Sequence, residues 1–252
     1  MTEGSPLAIV HHHDAQAEYP ATSFIEFNRA AVANALSPEL TQAISKGLEE
    51  AAALGQKLVV LQGLGRHFCA GFDFSDLEGQ DDDSLRARFL AIEALLQSVA
   101  SAPFLTVAAI EGAAFGAGAD LAVACRLRWG TERATFKFPG SRFGLVLGSR
   151  RLAHCVGAAR SISILVNNET VLAEQALSDG LLTEVMSDTV AIKSRIAELA
   201  SNLQSLSQTT LQALLDETNV ASQNDLALKA LKNSMTAGLK DRIQTFRNSN
   251  SQ

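Results

Sequence analysis

Residues 104–120, FLTVAAIEGAAFGAGAD, constrain the fold more than any other stretch. Phe104, Leu105, Val107, Ala108, Ala109 and Ile110 form an apolar run between Pro103 and Gly112, the pattern of a buried strand. Small residues follow (Gly112, Ala113, Ala114, Gly116, Ala117, Gly118, Ala119), and LAVACRL then reads as the continuation of a buried helix. Strand, glycine-rich turn and helix start leave backbone N–H groups unpaired, where the helix dipole also favours negative charge. Such a point holds a phosphate, or a carbonyl oxygen that becomes an oxyanion. No GKS or GKT follows, which disfavours a P-loop. Tight packing of a helix on a sheet explains the same glycines equally well.

A second stretch shifts that balance. Leu58–Gly63 is another buried-strand pattern and leads into LGRHFCAGFDFSDLEG. The two stretches together resemble the enoyl-CoA hydratase/isomerase (crotonase) superfamily, in which an F-x-A-G-x-D loop and a P-x-x-A-A-x-x-G-x-x-x-G-x-G segment sit apart by a helix, as the two stretches do here. FIEFNRAAVANALSPEL is similar to that family's first strand and CoA-side loop, which contains Val32. TFKFPGSRFGLV is similar to the strand and loop carrying its second acid, LAEQALSDGLLTEV to its S-A-x-E-A-x-x-x-G-L-V segment, and GLKDRIQTF to its C-terminal helix. The resemblance covers residues 22–247. It implies an α/β fold, a spiral of ββα units with a helical C-terminal trimerisation region. The division would be a core over 1–190 and helices over 191–252, acting as one functional unit.

Composition agrees with one large-cored globular chain: 252 residues, 47% hydrophobic and 19% charged. A net charge of −6 argues against a nucleic-acid surface. Cys69, Cys125 and Cys155 lack metal-ligand spacing and read as small core residues of a reducing compartment. The longest apolar region is interrupted by Glu111 and Asp120, so no membrane span is expected. With no signal-peptide pattern at the start, the expectation is a cytoplasmic protein. His11, His12 and His13 have no acidic or cysteine partner set and read as a solvated turn or edge strand, and no metal site is expected.

Along the chain, residues 7–10 and 21–27 read as two paired strands. Ser37-Pro38-Glu39 starts a helix with Leu40, Ile44, Leu48 and Ala51 on one face and Gly55 as its stop. GQDDDS reads as flexible charged surface, and residues 85–99 as a helix. Residues 135–138 read as a strand, followed by a loop with Arg142, Arg150 and Arg151 and a helical pattern from Leu152 to Leu165. Three helices follow from about residue 189, with faces Ile192/Ile196/Leu199, Leu211/Leu214/Leu215 and Leu226/Leu228/Leu231.

The resemblance also implies chemistry. A thioester oxygen would lie between the backbone N–H groups of Phe72 and Ala117, with Val32, Ala70, Gly71, Phe72 and Gly116 lining the CoA side. The substrate would be an acyl-CoA, coenzyme A being part of it, with no separate cofactor; partners would be further copies of the chain, in a trimer or a dimer of trimers. Hydratases of the family carry two glutamates. Asp120 matches the first, one methylene shorter; Pro139-Gly140-Ser141-Arg142-Phe143-Gly144 matches the second acid's motif with Gly140 in the glutamate's place. A third acidic position used by some relatives falls at about Gly148. Asp120, near a helix N-terminus, is expected to be held charged and so to be a weak base. One carboxylate favours isomerisation, slow hydration or oxyanion-assisted cleavage over efficient hydration. Ser141, Arg142, Arg150 and His154 are candidates for the emptied corner. A non-catalytic acyl-CoA-binding subunit is the rival reading, and RNA binding a remoter one.

Overall fold

A computed structural model describes residues 6–14, 18–218 and 224–249. Its strands form two sheets. The larger has the order β1 (Ala8–His12), β2 (Thr22–Phe27), β3 (Leu58–Gly63), β4 (Leu105–Ile110), β6 (Leu127–Thr131) and β9 (Glu184–Met186). β1 pairs antiparallel with β2, and every later pair is parallel. The smaller sheet joins β5 (Ala113–Phe115), β7 (Thr135–Lys137) and β8 (Thr170–Leu172). Chain order explains the shape. β4 lies in the large sheet and β5 in the small one before helix α3 (Ala117–Ala124) returns to β6, and β6 and β7 repeat the step. Ahead of them, Cys69 after β3 makes a single parallel bridge to Ala114, the rudiment of the same turn.

Parallel strands need cover on both faces, and alternate residues provide it. Ile25, Phe27, Val59, Leu61, Ala108 and Ile110 face the main core with α1 (Pro38–Ala53), α2 (Asp82–Ala100) and α3. Their neighbours Phe24, Leu58, Val60, Val107, Ala109 and Trp129 face α7 (Thr189–Gln204) and α8 (Gln208–Glu217). The last helices, α9 (Asn224–Ser234) and α10 (Leu239–Ser249), send Leu231, Leu239 and Ile243 into the main core.

Several local expectations need correction. GQDDDS is ordered: Asp81 and Ser84 form a reciprocal capping box at the start of α2. Asp82 then accepts the N–H groups of Gly238, Leu239 and Lys240, fastening the start of α10. The helix after the glycine cluster ends at Ala124, because Cys125 is extended and Leu127 pairs in β6. Arg150 and Arg151 are not in a loop but in α4 (Ser149–Val156), and Gly157 at φ +79° separates α4 from α5 (Ala158–Asn167). Among the described residues four helices follow residue 188, the three read from their apolar faces and the C-terminal one that the resemblance placed at GLKDRIQTF. Leu214 and Leu226, assigned to inner faces, are exposed, while Ala227 is buried in Leu226's place. His11 and His12 lie on edge strand β1, where His12 Nδ1 meets Ser23 Oγ at 2.7 Å. Among the described residues no helix is long and apolar enough to cross a membrane, and no group of three or more His, Cys, Asp or Glu is placed to hold a metal ion.

Candidate active site

Two loops are zipped together beside the α3 N-terminus. Ala70 N–H donates to Ala33, Leu36 N–H to Gly71 and Asp73 N–H to Leu36, at 2.9, 2.7 and 3.2 Å. Asn34 locks the outer loop: buried, it accepts from Arg29 N–H and donates to the Leu64 and His67 carbonyls. Arg29 Nη2 pairs with Asp73 Oδ2 at 2.8 Å. Burial alone would raise the Asp73 pKa, but hydrogen bonds from Ser75 and the Arg29 partner hold it below the usual carboxylate range. The sequence motif contained Asp73 without revealing this clamp.

The inner loop also touches β5 and α3. Cys69 N–H donates to Ala113 and Phe115 N–H to Cys69. A Cβ on Gly71 would lie 2.5 Å from Phe115 O and 3.0 Å from Ala117 N, and one on Gly118 would lie 2.3 Å from Cys69 O. Only residues without side chains permit this approach, and Gly71 additionally has φ +91°. The approach brings Phe72 and Ala117 into one small region. Among the described residues neither backbone N–H donates to a protein acceptor. The Phe72 ring is packed, stacked on Phe89 at 4.5 Å with the Arg88 guanidinium 4.1 Å from its centroid. The backbone there is therefore anchored by its own side chain. Cys69, beside them, is no nucleophile: burial pushes its thiol up to about 12.

Gly116, Ala117 and Asp120 share a cavity of about 30 Å³ with Gly140 and Ser141, walled by Phe89, Phe138, Phe143 and Leu145 among others. That is room for about one or two waters. Val32 stands apart: 45% exposed, it ends the short 3-10 turn Ala30–Val32 on the outer loop. Ala70 is also exposed. Of the candidates for the emptied corner, only Ser141 lines this cavity, and its hydroxyl donates to Leu165 O at 2.9 Å. Arg142 donates to Val166 O, while Arg150 and His154 line a different cavity.

Asp120 reverses one expectation. Its carboxyl is buried, and Oδ1 finds no hydrogen-bond partner among the described residues. Burial drives its pKa well above the ordinary carboxylate value; Arg151 opposes that and Glu93 adds to it. A helix N-terminus is worth about 0.3–1 kcal/mol, less than one pKa unit, whereas full burial moves a carboxyl by up to ~3–5 units. The dipole loses, so Asp120 is a stronger base than expected and holds its proton longer. Position 148 is not empty either: a Cβ on Gly148 would lie 2.0 Å from Asp120 Oδ1, so the carboxyl occupies that space. Behind it lies a buried pair that sequence reasoning missed, Arg151 Nη1 and Nη2 on Glu93 at 3.1 and 2.9 Å. Glu93 falls one turn after Phe89 and directly after Ile92, so an apolar neighbourhood was its sole signal.

A family model described as Enoyl-CoA hydratase/isomerase matches residues 18–252. A probable enoyl-CoA hydratase of Bacillus subtilis is 32% identical over 191 residues, covering 73% of this chain and 73% of that protein. One of Mycobacterium tuberculosis is 35% identical over 183 residues, covering 70% and 72%. A solved structure from Bordetella parapertussis, described as an enoyl-CoA hydratase/isomerase, superposes with TM-score 0.88 at 36% identity over 96% of this chain and 98% of that one. An enoyl-CoA hydratase structure from Bacillus halodurans shares the fold at TM-score 0.82 and 19% identity, covering 95% and 99%.

Proposed function

Because this chain belongs to the enoyl-CoA hydratase/isomerase family, we propose that it binds an acyl-CoA with its thioester oxygen between the Phe72 and Ala117 N–H groups and uses Asp120 as its one proton-carrying carboxyl. Coenzyme A runs along the zipped loops, past Val32, Ala70, Gly71 and Gly116, as part of the substrate; the reaction needs no separate cofactor. Each backbone donor contributes about 2.7–4 kcal/mol where enolate charge develops.

The favoured reaction is double-bond isomerisation. Asp120 carboxylate takes a proton from C2 of a 3-enoyl thioester. The electron pair moves onto the thioester oxygen, and the protonated Asp120 returns its proton to C4, leaving the double bond at C2–C3. One carboxyl that takes and gives the same proton suffices. Hydration instead needs a second group to activate water, and position 140 offers glycine. The observation that carries this reading is Asp120 itself: the sole carboxyl among the described residues lining the cavity, buried, with an oxygen that has no hydrogen-bond partner among them. The test compares 3-enoyl-CoA isomerisation with crotonyl-CoA hydration in the wild type and Asp120→Asn. Isomerisation should be the faster reaction and should collapse in the variant; hydration equal to or faster than isomerisation defeats the proposal.

A second reading, acyl-CoA binding without turnover, draws support from the smallness of the cavity. Tight acyl-CoA binding with no turnover of either substrate would select it. The assembly we propose is a trimer or a dimer of trimers. The C-terminal helices send many of their apolar residues into their own chain, so the exposed Ile162, Val166, Leu172 and Leu177 are the better candidates for contact. A monomer by light scattering at micromolar concentration would refute this.

A further inference from the structure

Three buried ionisable groups meet on facing helices behind the small cavity. Asp120 lies in the first turn of α3, Glu93 on α2 and Arg151 on α4. Glu93 is 1% exposed and Asp120 5%. Gly148, whose absent side chain makes room for Asp120 Oδ1, accepts the Arg151 N–H at 2.9 Å. The guanidinium thus belongs to the turn of α4 that abuts Asp120. Glu93 follows the cavity-lining Phe89 by one turn of α2.

The charges do not balance. Two carboxyls share one guanidinium, and a second buried carboxylate would stand uncompensated. Glu93 holds the cation: Arg151 Nη1 and Nη2 reach its oxygens at 3.1 and 2.9 Å, and Nη2 also reaches Asn224 Oδ1 at 3.1 Å. Asp120 Oδ1 and Arg151 Nε are left as a buried acceptor and a buried donor, both without hydrogen-bond partners among the described residues. The other charged groups of the packed elements are turned elsewhere. Arg86 and Arg88 on α2 pair with Asp82, Asp83 and Asp76, and Arg142 in the turn before α4 donates to Val166 O. Arg150 and His154 on α4 line a different cavity, and β5 contributes no charge. Burial favours the neutral form of Asp120; Arg151 opposes this and Glu93 adds to it.

We propose that Glu93 is a positioning residue: it holds the Arg151 guanidinium and so keeps that cation from closing on Asp120, which is left free to carry the proton. The inference rests on the reading of Asp120 as the proton-carrying carboxyl. A guanidinium grips a carboxylate through two parallel N–H bonds, and such a grip keeps the carboxylate ionised. On Asp120 it would occupy the oxygens that the substrate proton needs and make them weak bases. On Glu93 it leaves Asp120 unpaired, with the cation near enough to limit how tightly the proton is held.

Glu93→Gln keeps the side-chain shape and one acceptor oxygen while freeing the guanidinium. The Asp120 midpoint should then fall by about one pH unit or more, since an adjacent cation lowers a carboxyl by about 1–3 units. The readout is the infrared band of the protonated carboxyl, identified as the band that Asp120→Asn removes and followed across pH. The pH–rate profile of 3-enoyl-CoA isomerisation is recorded beside it. Arg151→Gln should move the midpoint the other way, upward. That variant strands Glu93 and can lose fold, so the double variant Glu93→Gln/Arg151→Gln stands in for it. The double variant's midpoint should lie about one unit or more above that of Glu93→Gln, at or above the wild-type value. A pair that served the fold alone would, once loosened, admit water to Asp120 and lower every midpoint. An unchanged or raised midpoint in a folded Glu93→Gln, equal midpoints in the single and double variants, or a double variant below wild type would each overturn the proposal. If the band moves as expected while turnover ignores Asp120→Asn, the role of Glu93 stands and the reading of Asp120 as proton carrier falls.

Discussion

Gly140→Glu places a carboxyl where the resemblance implies a second acid and is the sharpest test of the single-carboxyl reading. The backbone accepts it: Gly140 is not among the glycines with positive φ. A Cβ there would meet Leu145 O at 3.2 Å, a contact relieved by a shift of a few tenths of an ångström. The cavity it would enter holds about 30 Å³, so Leu145 and its neighbours must give way, at about 1–3 kcal/mol of stability. The new carboxyl would also face Asp120 in an apolar space. Two such groups cannot both ionise there, so the pair would share a proton over the neutral range, as a hydration acid and base must. A positioned acid or base contributes about 10²–10⁴-fold, and misplacement by ~1 Å costs about 10²-fold. The expected gain in crotonyl-CoA hydration is therefore about tenfold, at most about a hundredfold. The assay is loss of enoyl-thioester absorbance in wild type, Gly140→Glu, Asp120→Asn and the double variant, with acyl-CoA affinity and circular dichroism checked in each. The double variant should lose the gain, because the two carboxyls act as one unit. A folded, acyl-CoA-binding Gly140→Glu with no gain, or a gain that survives Asp120→Asn, would refute the reasoning.

Isomerisation should rise with pH, with a midpoint above the ordinary carboxylate range, because burial raises the Asp120 pKa and the ionised form is the base; a pH–rate profile flat from pH 5 to 9 contradicts this. The same shift destabilises the fold at high pH. The native state holds a proton that the unfolded state releases near pH ~3.9, so stability falls as pH rises above that value, and Asp120→Asn should flatten this slope in chemical denaturation. Gly71→Ala should lower turnover by about 10² or more with the fold retained, since its Cβ would collide with Phe115 O and crowd the Ala117 N–H. Arg29→Met should cost about 3 kcal/mol at neutral pH, leaving Asp73 buried and unpaired. Because the Asp73 pKa is depressed, that cost should be present above about pH 4 and vanish as pH falls through the lower native value, as read by urea denaturation across pH.

The elements that read clearly in the sequence are those with a local cause. Ser37-Pro38 capped α1 as its residue types require, and Ser37 Oγ accepts from Leu40 N–H. The apolar run of β4 and the glycines before α3 were legible for the same reason. β5 is three residues long and owes its pairing to β7, twenty-two residues on. β6 contains Arg128, whose buried guanidinium is satisfied by carbonyls of residues 125 and 126 and, from far along the chain, 180 and 181. Neither carries a periodicity of its own. The site divides along the same line. Two glycine-rich loops pointed to Phe72 and Ala117, which the structure brings into one region, but the Asp73–Arg29 clamp and the Glu93–Arg151 pair join residues 44 and 58 positions apart, which no local pattern records.

Asp120 shows why substituted acid positions cannot be read as vacancies one at a time. Gly148 and Gly140 fall where the resemblance implies carboxyls, and both look like simple losses in the sequence. In three dimensions they differ. Gly140 opens on the cavity, whereas Gly148 carries φ +64° and lies against Asp120 Oδ1, where a side chain would sit at 2.0 Å. The missing side chain at 148 is thus what lets a short aspartate be buried at 120, and burial is what raises its pKa. Gly148→Ala should therefore act on Asp120 as well as on the fold. The left-handed backbone alone costs about 1–2 kcal/mol, and the collision must swing the carboxyl aside or unseat α4. A carboxyl swung out toward water would titrate closer to the ordinary value, so the pH–rate midpoint of a folded Gly148→Ala should fall as its turnover falls. If instead Gly148→Ala folds with unchanged stability and an unchanged midpoint, glycine at 148 has no part in setting Asp120, and the case for a single tuned carboxyl fails with it.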